Sequence, residues 1–258
     1  MEYFIAACSD IGIKKKSNQD ALSARVFSVN GEKAAFAILC DGMGGLSQGE
    51  IISATLVEAF MKWLVNAMEN ELLVDVNIEK IVRMWNKVVA AENKKIIEFA
   101  KKQNLSMGST IVVLLIIGSD YYIMNVGDSR AYIISSGIKQ ITHDHSFISA
   151  EIAAGRLTAE EAEKDPRRNV LLQSIGVTED VKPEYYYGRL SRDACFLLCS
   201  DGLVHKVTSA ELAEFFEPTY LANKNSMQSA IVKTISLVKE RMETDNISGV
   251  LIKAFQNQ

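Results

Sequence analysis

An Asn-Gly pair between two apolar stretches constrains the fold of this chain more than any other short feature of its sequence. The stretches are 21–29, ALSARVFSV, and 32–40, EKAAFAILC, and they flank Asn30 and Gly31. Asn-Gly is the strongest short signal for a two-residue β-hairpin turn, because both of its positions tolerate positive φ. Directly opposed residues in such a hairpin have numbers that sum to 61. The turn therefore predicts two strands and also their register.

Two carboxylates are opposed in this register. Asp20 and Asp41 stand at the open end of the predicted hairpin. Opposed Cβ atoms in antiparallel strands lie about 5 Å apart, and like charges at that distance destabilise the pair. Another charge must neutralise them, and hard divalent cations are natural partners of clustered carboxylate oxygens.

The same pattern of an apolar strand next to an aspartate recurs along the chain. Asp128 lies in NVGDSR, Asp201 in FLLCSDG and Asp245 in ETDNISGVLI. A single Asp-Gly after a strand is usually only a turn. Five aspartates at strand ends, two of them opposed, instead predict an acidic rim that binds Mg²⁺ or Mn²⁺. Two such ions would activate a water and clamp a phosphoryl group, which predicts a two-metal hydrolase acting on a phosphate ester.

The remaining segments predict an α+β fold. Ser47-x-x-Glu50 and Thr208-x-x-Glu211 have the capping-box pattern of helix starts, and further helices are predicted over 77–102 and 226–242. Apolar runs predict further strands in YFIAACSD, STIVVLLIIG, YYIMNVG, RAYIISSGIKQIT, ACFLLCSDG and SGVLIKAF. Helices that come in pairs between groups of strands favour two packed sheets with helices outside.

Composition narrows the class of protein. The chain has 258 residues and a net charge of −4, without a Pro-rich or Gly/Ser-rich linker, so one continuous domain over 1–258 is expected. The mild acidity argues against nucleic acid or a membrane surface as a partner. The four cysteines lie in apolar segments and are expected to be reduced and buried. The start of the chain resembles a strand more than a signal peptide, and a cytoplasmic location is the default expectation.

The ordered motifs resemble those of the metal-dependent type 2C protein serine/threonine phosphatases, the PPM family, and especially its compact bacterial members. The resemblance runs nearly end to end. It is carried by SDIGIKKKSNQDA, CDGMGGLSQGEIIS, MGSTIVVLLI, NVGDSRAYI, ITHDHS, RRNVLLQSIG, LLCSDGL and TDNISGVLI. It implies a four-layer α/β/β/α sandwich of two mostly antiparallel sheets with helices on both outer faces.

The resemblance also implies the site. By motif position, the catalytic metal ligands of a two-ion Mn²⁺ or Mg²⁺ core would be the carboxylates of Asp20, Asp41, Asp201 and Asp245 and the carbonyl of Gly42. Asp128, together with Asp201, matches the position of a third, weaker metal. Residues 143–176 correspond to a flap beside the active site. A water bridging the two metals would attack phosphorus directly, with no phosphorylated protein intermediate.

Some residues depart from the family pattern or keep two readings. Lys15 aligns where the family usually has Arg, so it would meet the substrate phosphate as a point charge. As part of the Lys14–Lys16 run, it is equally compatible with a solvated face. Met43 stands where some family members carry a histidine proposed as the general acid. A metal-bound water would then have to protonate the leaving group. His145 favours a structural hydrogen bond over acid–base work, and His205 has no assigned role.

The expected substrate is a phosphoserine or phosphothreonine protein, modified by a serine/threonine kinase, and the expected enzyme is a monomer. The alternative is a catalytically weakened phosphopeptide-binding or regulatory module of the same fold, which Lys15 leaves open and the retained aspartates disfavour. A two-metal nuclease is a further alternative, against which the acidic charge balance argues.

Overall fold

The secondary structure is that of a computed structural model, which describes residues 1–44, 48–190, 194–217 and 219–256. The strands are β1 (Glu2–Asp10), β2 (Asp20–Val29), β3 (Glu32–Gly44), β4 (Met107–Ser109), β5 (Ile111–Ile117), β6 (Asp120–Val126), β7 (Arg130–Ile134), β8 (Ile138–Gln140), β9 (Glu184–Arg189), β10 (Ala194–Cys199) and β11 (Ile247–Phe255). The helices are α1 (Gln48–Glu69), α2 (Ile78–Gln103), α3 (Phe147–Ala153), α4 (Ala159–Lys164), α5 (Asp201–Val204), α6 (Ser209–Phe215) and α7 (Lys224–Glu240).

The strands form two antiparallel sheets. The first sheet has the order β1-β11-β10-β7-β8, and the second has the order β2-β3-β5-β6-β9, with β4 paired to the end of β3. The predicted hairpin is confirmed, and its register is the predicted one: Asp20 pairs with Asp41 and Val29 with Glu32. Asn30 and Gly31 adopt φ of 50° and 81°, the positive values that their turn requires.

Three apolar layers separate the elements and confirm the four-layer α+β sandwich. Between the two sheets, Leu39 and Leu114 pack with Phe196 and Ile252. Helices α1 and α2 cover the outer face of the second sheet, and α5, α6 and α7 cover that of the first. Each fully buried Leu, Ile or Phe side chain contributes about 1.5–3 kcal/mol relative to an exposed one, so these layers fix how the strand ends meet.

Helix caps agree with most of the predicted helix starts. Asn77 caps α2 through its side chain, which accepts from the Lys80 N–H, and the Thr208–Glu211 capping box opens α6. Helix α7 begins two residues before the predicted Ser226 because the Asn223 side chain is its N-cap and Ser226 completes the capping box. The Ser47–Glu50 box falls partly on Ser47, outside the described residues.

Two strand assignments need correction. The segment predicted as one strand over 130–142 is a hairpin, β7 and β8, because 135–137 turns with the Ser135 N–H donating to the Gly137 carbonyl (3.0 Å). Strand β9, which pairs with β6, was not among the predicted strands. Its run of three tyrosines favours a strand, but Pro183 and Gly188 interrupt the pattern on either side.

Helix α1 is the one helix in the described ranges long and apolar enough to cross a membrane by length and composition. Its Leu56, Phe60 and Leu64 are buried against the second sheet. A core helix of a soluble protein passes the same test by length and composition.

Candidate active site

All the aspartates that the sequence analysis singled out lie where strands begin or end. Asp20 and Asp41 are opposed at the open end of the β2–β3 hairpin, and Asp128 lies two residues after the end of β6. Asp201 follows β10, and Asp245 precedes β11. Strand β10 runs antiparallel to β11 with Cys199 opposite Gly249, so the end of one and the start of the other meet at the same rim.

The Ser200 hydroxyl links Asp20 to the first sheet. The Ser200 hydroxyl donates to Asp20 Oδ2 (2.9 Å), and the Ser248 N–H donates to Ser200 Oγ (3.0 Å). The Asp20 N–H donates to Asn18 Oδ1 (3.1 Å). Asp20 belongs to the second sheet, so these bonds fix its carboxylate against strand ends of the opposite sheet.

Asp41 and Gly42 are held by their backbone. The Asp41 N–H donates to Thr110 Oγ1 (3.0 Å), and the Thr110 N–H donates back to the Asp41 carbonyl (2.9 Å). A Cβ on Gly42 would lie 2.1 Å from the Gly49 carbonyl oxygen at the start of α1. Gly42 is therefore required by the close approach of helix and strand, a reason that the sequence analysis did not foresee.

The carboxylates of the rim suppress one another's ionisation. Burial, together with the charges of Asp20 and Asp201, raises the pKa of Asp41 well above its usual value. Burial and the charges of Asp201 and Asp245 raise the pKa of Asp20 to about 6, although hydrogen bonds from serines oppose the shift. Burial and the charge of Asp201 raise the pKa of Asp128 to about 8. A site built this way favours a bound cation.

Unpaired oxygens test whether a cation fits. Asp20 Oδ1 and Asp201 Oδ1 are buried without a hydrogen-bond partner. Buried carboxylate oxygens without partners are unfavourable unless a metal or another charge satisfies them. Within the described ranges, no three acidic, imidazole or thiol groups already form a finished metal cage, so the fit rests on charge and on these open oxygens. Hard oxygen donors suit Mg²⁺ or Mn²⁺, which keep several waters.

Lys15 is the cation that the chain itself brings to the cluster. Its Nζ lies 2.6 Å from Asp245 Oδ1, and its side chain is 36% exposed. Burial lowers the pKa of Lys15, but the hydrogen bond with Asp245 and the charges of Asp41 and Asp201 outweigh that effect and raise it. Of the two readings of the lysine run, this position is compatible with a contact to a substrate phosphate and not with a purely solvated face.

Asn246 is a site residue that the sequence analysis quoted in a motif without giving it a role. Its Oδ1 accepts from the Gln19 N–H (2.9 Å), and its Nδ2 donates to the carbonyls of Ile11 (2.9 Å) and Ser17 (3.2 Å). The loop over 11–19 that carries Lys15 is thus fastened beside Asp245. Adjacency of Asn246 to Asp245 in TDNISG was the available signal.

The region over 143–176 contains α3 and α4. Near its start, His145 is hydrogen-bonded to Gly127 in the turn that carries Asp128. The Gly127 N–H donates to His145 Nδ1 (3.2 Å), and the His145 N–H donates to the Gly127 carbonyl (2.9 Å). Burial lowers the pKa of His145 despite the nearby Glu184 carboxylate. These contacts favour the structural reading of His145 over acid–base work.

Cys40 and Met43 lie close to Asp41 on β3. Cys40 is fully buried in the core beneath α1, and burial raises the pKa of its thiol, which keeps it protonated. Met43 is half-buried in β3 opposite Gly108. Its thioether carries no proton to donate.

Comparison with known proteins agrees with this architecture. The family model described as "Protein phosphatase 2C" matches residues 13–236. The serine/threonine phosphatase stp of Listeria innocua is 30% identical over 248 residues, which cover 95% of this chain and 93% of that protein.

Solved structures give the same result. The serine/threonine phosphatase Stp1 from Staphylococcus aureus superposes with a TM-score of 0.82 at 27% identity, covering 100% of this chain and 96% of that one. The catalytic domain of the phosphatase PstP, described in complex with 2 manganese ions, shares the fold with a TM-score of 0.77 at 24% identity over 98% of this chain and 99% of that one. With its motifs, fold and relatives in agreement, the chain belongs to the protein phosphatase 2C family of serine/threonine protein phosphatases.

Proposed function

We propose that this enzyme hydrolyses phosphoserine and phosphothreonine in proteins with the help of two Mn²⁺ or Mg²⁺ ions held at the acidic rim. Asp20, Asp41, Asp201 and Asp245 and the carbonyl of Gly42 hold the two ions. Asp128, with Asp201, holds a third ion more weakly. The observation that carries the proposal is the group of aspartates with mutually raised pKa values and open carboxylate oxygens, with Lys15 beside Asp245.

A solved relative supports the choice of ion. The PstP catalytic domain binds 2 manganese ions and has the same fold. When bound at these aspartates, divalent cations would acidify a water as the nucleophile and neutralise the phosphoryl oxygens.

The protein's own contribution is to hold the groups in place. The Ser200 hydroxyl donates to the Asp20 carboxylate, and the Asp41 N–H donates to Thr110 Oγ1, so these aspartates need not reorganise when substrate arrives. Lys15, beside Asp245, orients the phosphate as a point charge. Met43 cannot donate a proton, so the leaving alkoxide takes its proton from solvent at the site.

The wider organisation forms part of the same proposal. Residues 1–258 make one catalytic domain, and 143–176 act as a flap over the substrate because their root contacts the Asp128 turn through His145. The enzyme acts as a cytoplasmic monomer on the products of a serine/threonine kinase.

Metal dependence is the direct test. The purified chain, stripped with EDTA, is expected to release phosphate from a phosphothreonine peptide only after Mn²⁺ or Mg²⁺ is added back, with Ca²⁺ and buffer alone as controls. Turnover in EDTA would contradict the proposal. Tight binding of the phosphopeptide without turnover in Mn²⁺ would instead support the alternative of a phosphopeptide-binding module.

A further inference from the structure

His205 lies between two acidic side chains that come from different loops of the rim. Its Nε2 is 3.4 Å from Asp201 Oδ2, and its Nδ1 is 3.8 Å from Glu243 Oε2. His205 follows Asp201 by four residues across the short helix α5, a spacing that places the two side chains on one face. The imidazole therefore touches one of the proposed metal ligands and a carboxylate outside the ligand set.

Glu243 divides its two oxygens between two tasks. Its Oε1 accepts the backbone N–H groups of Thr244 (2.7 Å) and Asp245 (3.0 Å), which fixes the turn that presents the Asp245 carboxylate. Its Oε2 is buried and has no hydrogen-bond partner. The residue is only 4% exposed. A buried carboxylate oxygen in this state is unfavourable without a nearby positive or donating group, and His205 is the group that faces it.

The arrangement is that of an oriented imidazole and not of a further metal site. The two ring nitrogens point to different carboxylates, whereas metal ligands converge on one point. A histidine flanked in this way orients the carboxylate beside it, as outer partners of metal ligands do.

Both loops are anchored independently of the metal. Arg241 donates to the Lys206 carbonyl (2.7 Å) and pairs with Glu211 at the start of α6, which holds the peptide after His205 to the end of α7. The Glu243 N–H donates to the Val238 carbonyl (2.9 Å) and closes that helix end. The imidazole and the buried carboxylate therefore meet on rigid supports.

We propose that His205 and Glu243 form a positioning pair that fixes Asp201 and Asp245 relative to each other and so prepares the rim for cation binding. The inference rests on the proposed metal-dependent function and adds to it two residues outside the ligand set. Neither residue contacts substrate; both act through the ligands that they orient.

Calorimetric titration of the metal-free, full-length chain with Mn²⁺ tests the pair without relying on turnover. His205→Ala is expected to raise the Kd for Mn²⁺ by about 10–100-fold, the range typical of lost outer partners of metal ligands. His205→Gln, whose amide nitrogen can still donate to Asp201, recovers part of the affinity. Glu243→Gln keeps the backbone contacts of Oε1 but loses the charge facing His205, and weakens binding less than His205→Ala. Lys206→Ala is the control. The Lys206 side chain is exposed and only its backbone carbonyl is used, so this variant is expected to bind Mn²⁺ as the wild type does.

A second readout separates positioning from a general loss of structure. At saturating Mn²⁺, His205→Ala recovers most of its kcat on a phosphothreonine peptide, with KM near wild type. Unchanged Kd values in His205→Ala and Glu243→Gln would overturn the inference and leave the proposed function standing. A wild-type chain that binds no Mn²⁺ would overturn both. Should His205→Ala fail to fold, the similarly sized His205→Gln and Glu243→Gln carry the same test.

Discussion

Two sets of aspartates lie near the same rim, and the chain treats them differently. Asp10 and Asp144 each have a cation of their own: Lys239 contacts both oxygens of Asp10 at 2.9 Å, and Arg130 forms a bidentate pair with Asp144. Among the described residues, no lysine or arginine pairs with Asp20, Asp41, Asp128 or Asp201, whereas Lys15 pairs with Asp245 and the His205 ring lies 3.4 Å from Asp201 Oδ2.

The pKa values follow this difference. Hydrogen bonds from Lys239 and from the Gly12 N–H outweigh burial and lower the pKa of Asp10. Burial and mutual repulsion raise the pKa values of Asp20, Asp41, Asp128 and Asp201. A carboxylate that the chain neutralises has a structural role, whereas carboxylates left unneutralised together are prepared for a cation from solution.

The largest expected effect is on turnover when one member of the unneutralised set is removed. Asp41→Asn should lower kcat/KM at fixed Mn²⁺ by about a thousandfold or more, because metal assistance supplies several kcal/mol. The same change should raise the melting temperature of the metal-free protein, because it removes one of several repelling buried carboxyl groups. Phosphopeptide kinetics and thermal denaturation in EDTA measure the two effects.

Asp10→Asn is the matched control from the neutralised set. It should leave turnover within about twofold of wild type and lower stability by less than about 1 kcal/mol, since its ion pair with Lys239 is partly exposed. Equal losses of activity in Asp10→Asn and Asp41→Asn would abolish the distinction between the two sets.

Removing a cation from the neutralised set should weaken the fold. Arg130→Met leaves the mostly buried Asp144 without its partner, next to an already acidic rim. Breaking such a pair destabilises a protein by about 3 kcal/mol, which corresponds to a fall in melting temperature of roughly 6–12 °C for a chain of this size. Arg189→Met, which breaks an exposed pair with Asp120, is the control and should melt as wild type. An unchanged melting temperature for Arg130→Met would mean that this pair is not structural.

The pH dependence of metal-free stability should separate the two sets further. The pKa of Asp128 is raised to about 8 and that of Asp20 to about 6 in the folded state, against about 3.8 for an ordinary aspartate. Between these limits the folded state binds more protons than the unfolded state, so stability falls as the pH rises. Melting temperatures in EDTA should therefore drop by several degrees from pH 5.5 to 8.

Asp128→Asn sharpens that measurement. It removes the group with the pKa near 8, so it should raise the melting temperature at pH 8 more than at pH 5.5, and saturating Mn²⁺ should reduce the difference from wild type. A melting temperature in EDTA that rises steadily with pH would contradict the raised pKa values.

The smallest expected effect concerns Lys15, the lysine that pairs with Asp245 at the rim. Lys15→Ala should raise KM for a phosphopeptide about fivefold, equivalent to about 1 kcal/mol, because a half-exposed charge is screened by solvent. Lys15→Arg should keep most of the affinity, and Lys14→Ala, an exposed neighbour, should have no effect. An unchanged KM in Lys15→Ala would remove Lys15 from the substrate contacts.

The features that could be predicted from the sequence are those that neighbouring residues determine by themselves. Asn30-Gly31 dictates its own turn, so the register and the facing of Asp20 and Asp41 follow from a few neighbouring residues. The remaining aspartates were predicted as a group only from their repeated position at strand ends. Their convergence depends on how two sheets pack, which no local pattern encodes.

The residues that were missed depend on contacts between distant segments. Strand β9 exists because β6 offers it an edge, and Asn246 acquires its role by reaching the loop over 11–19. The sequence around His205 and Glu243 carries no motif that predicts their roles. Each role depends on the contact between the two side chains, which come from loops far apart in the sequence. For these residues the physical signal is tertiary.

The register of the hairpin also bears on the order in which the molecule assembles. Asp20 and Asp41 meet through a local hairpin whose strands are joined by two residues, whereas Asp201 and Asp245 come from the far end of the chain. Local pairings form fast and distant ones late, because closing long loops has the larger entropic cost. Folding is therefore expected to bring the first two like charges together before the other aspartates join them. In that order, the hairpin forms against the repulsion of its two opposed carboxylates before the rest of the rim exists.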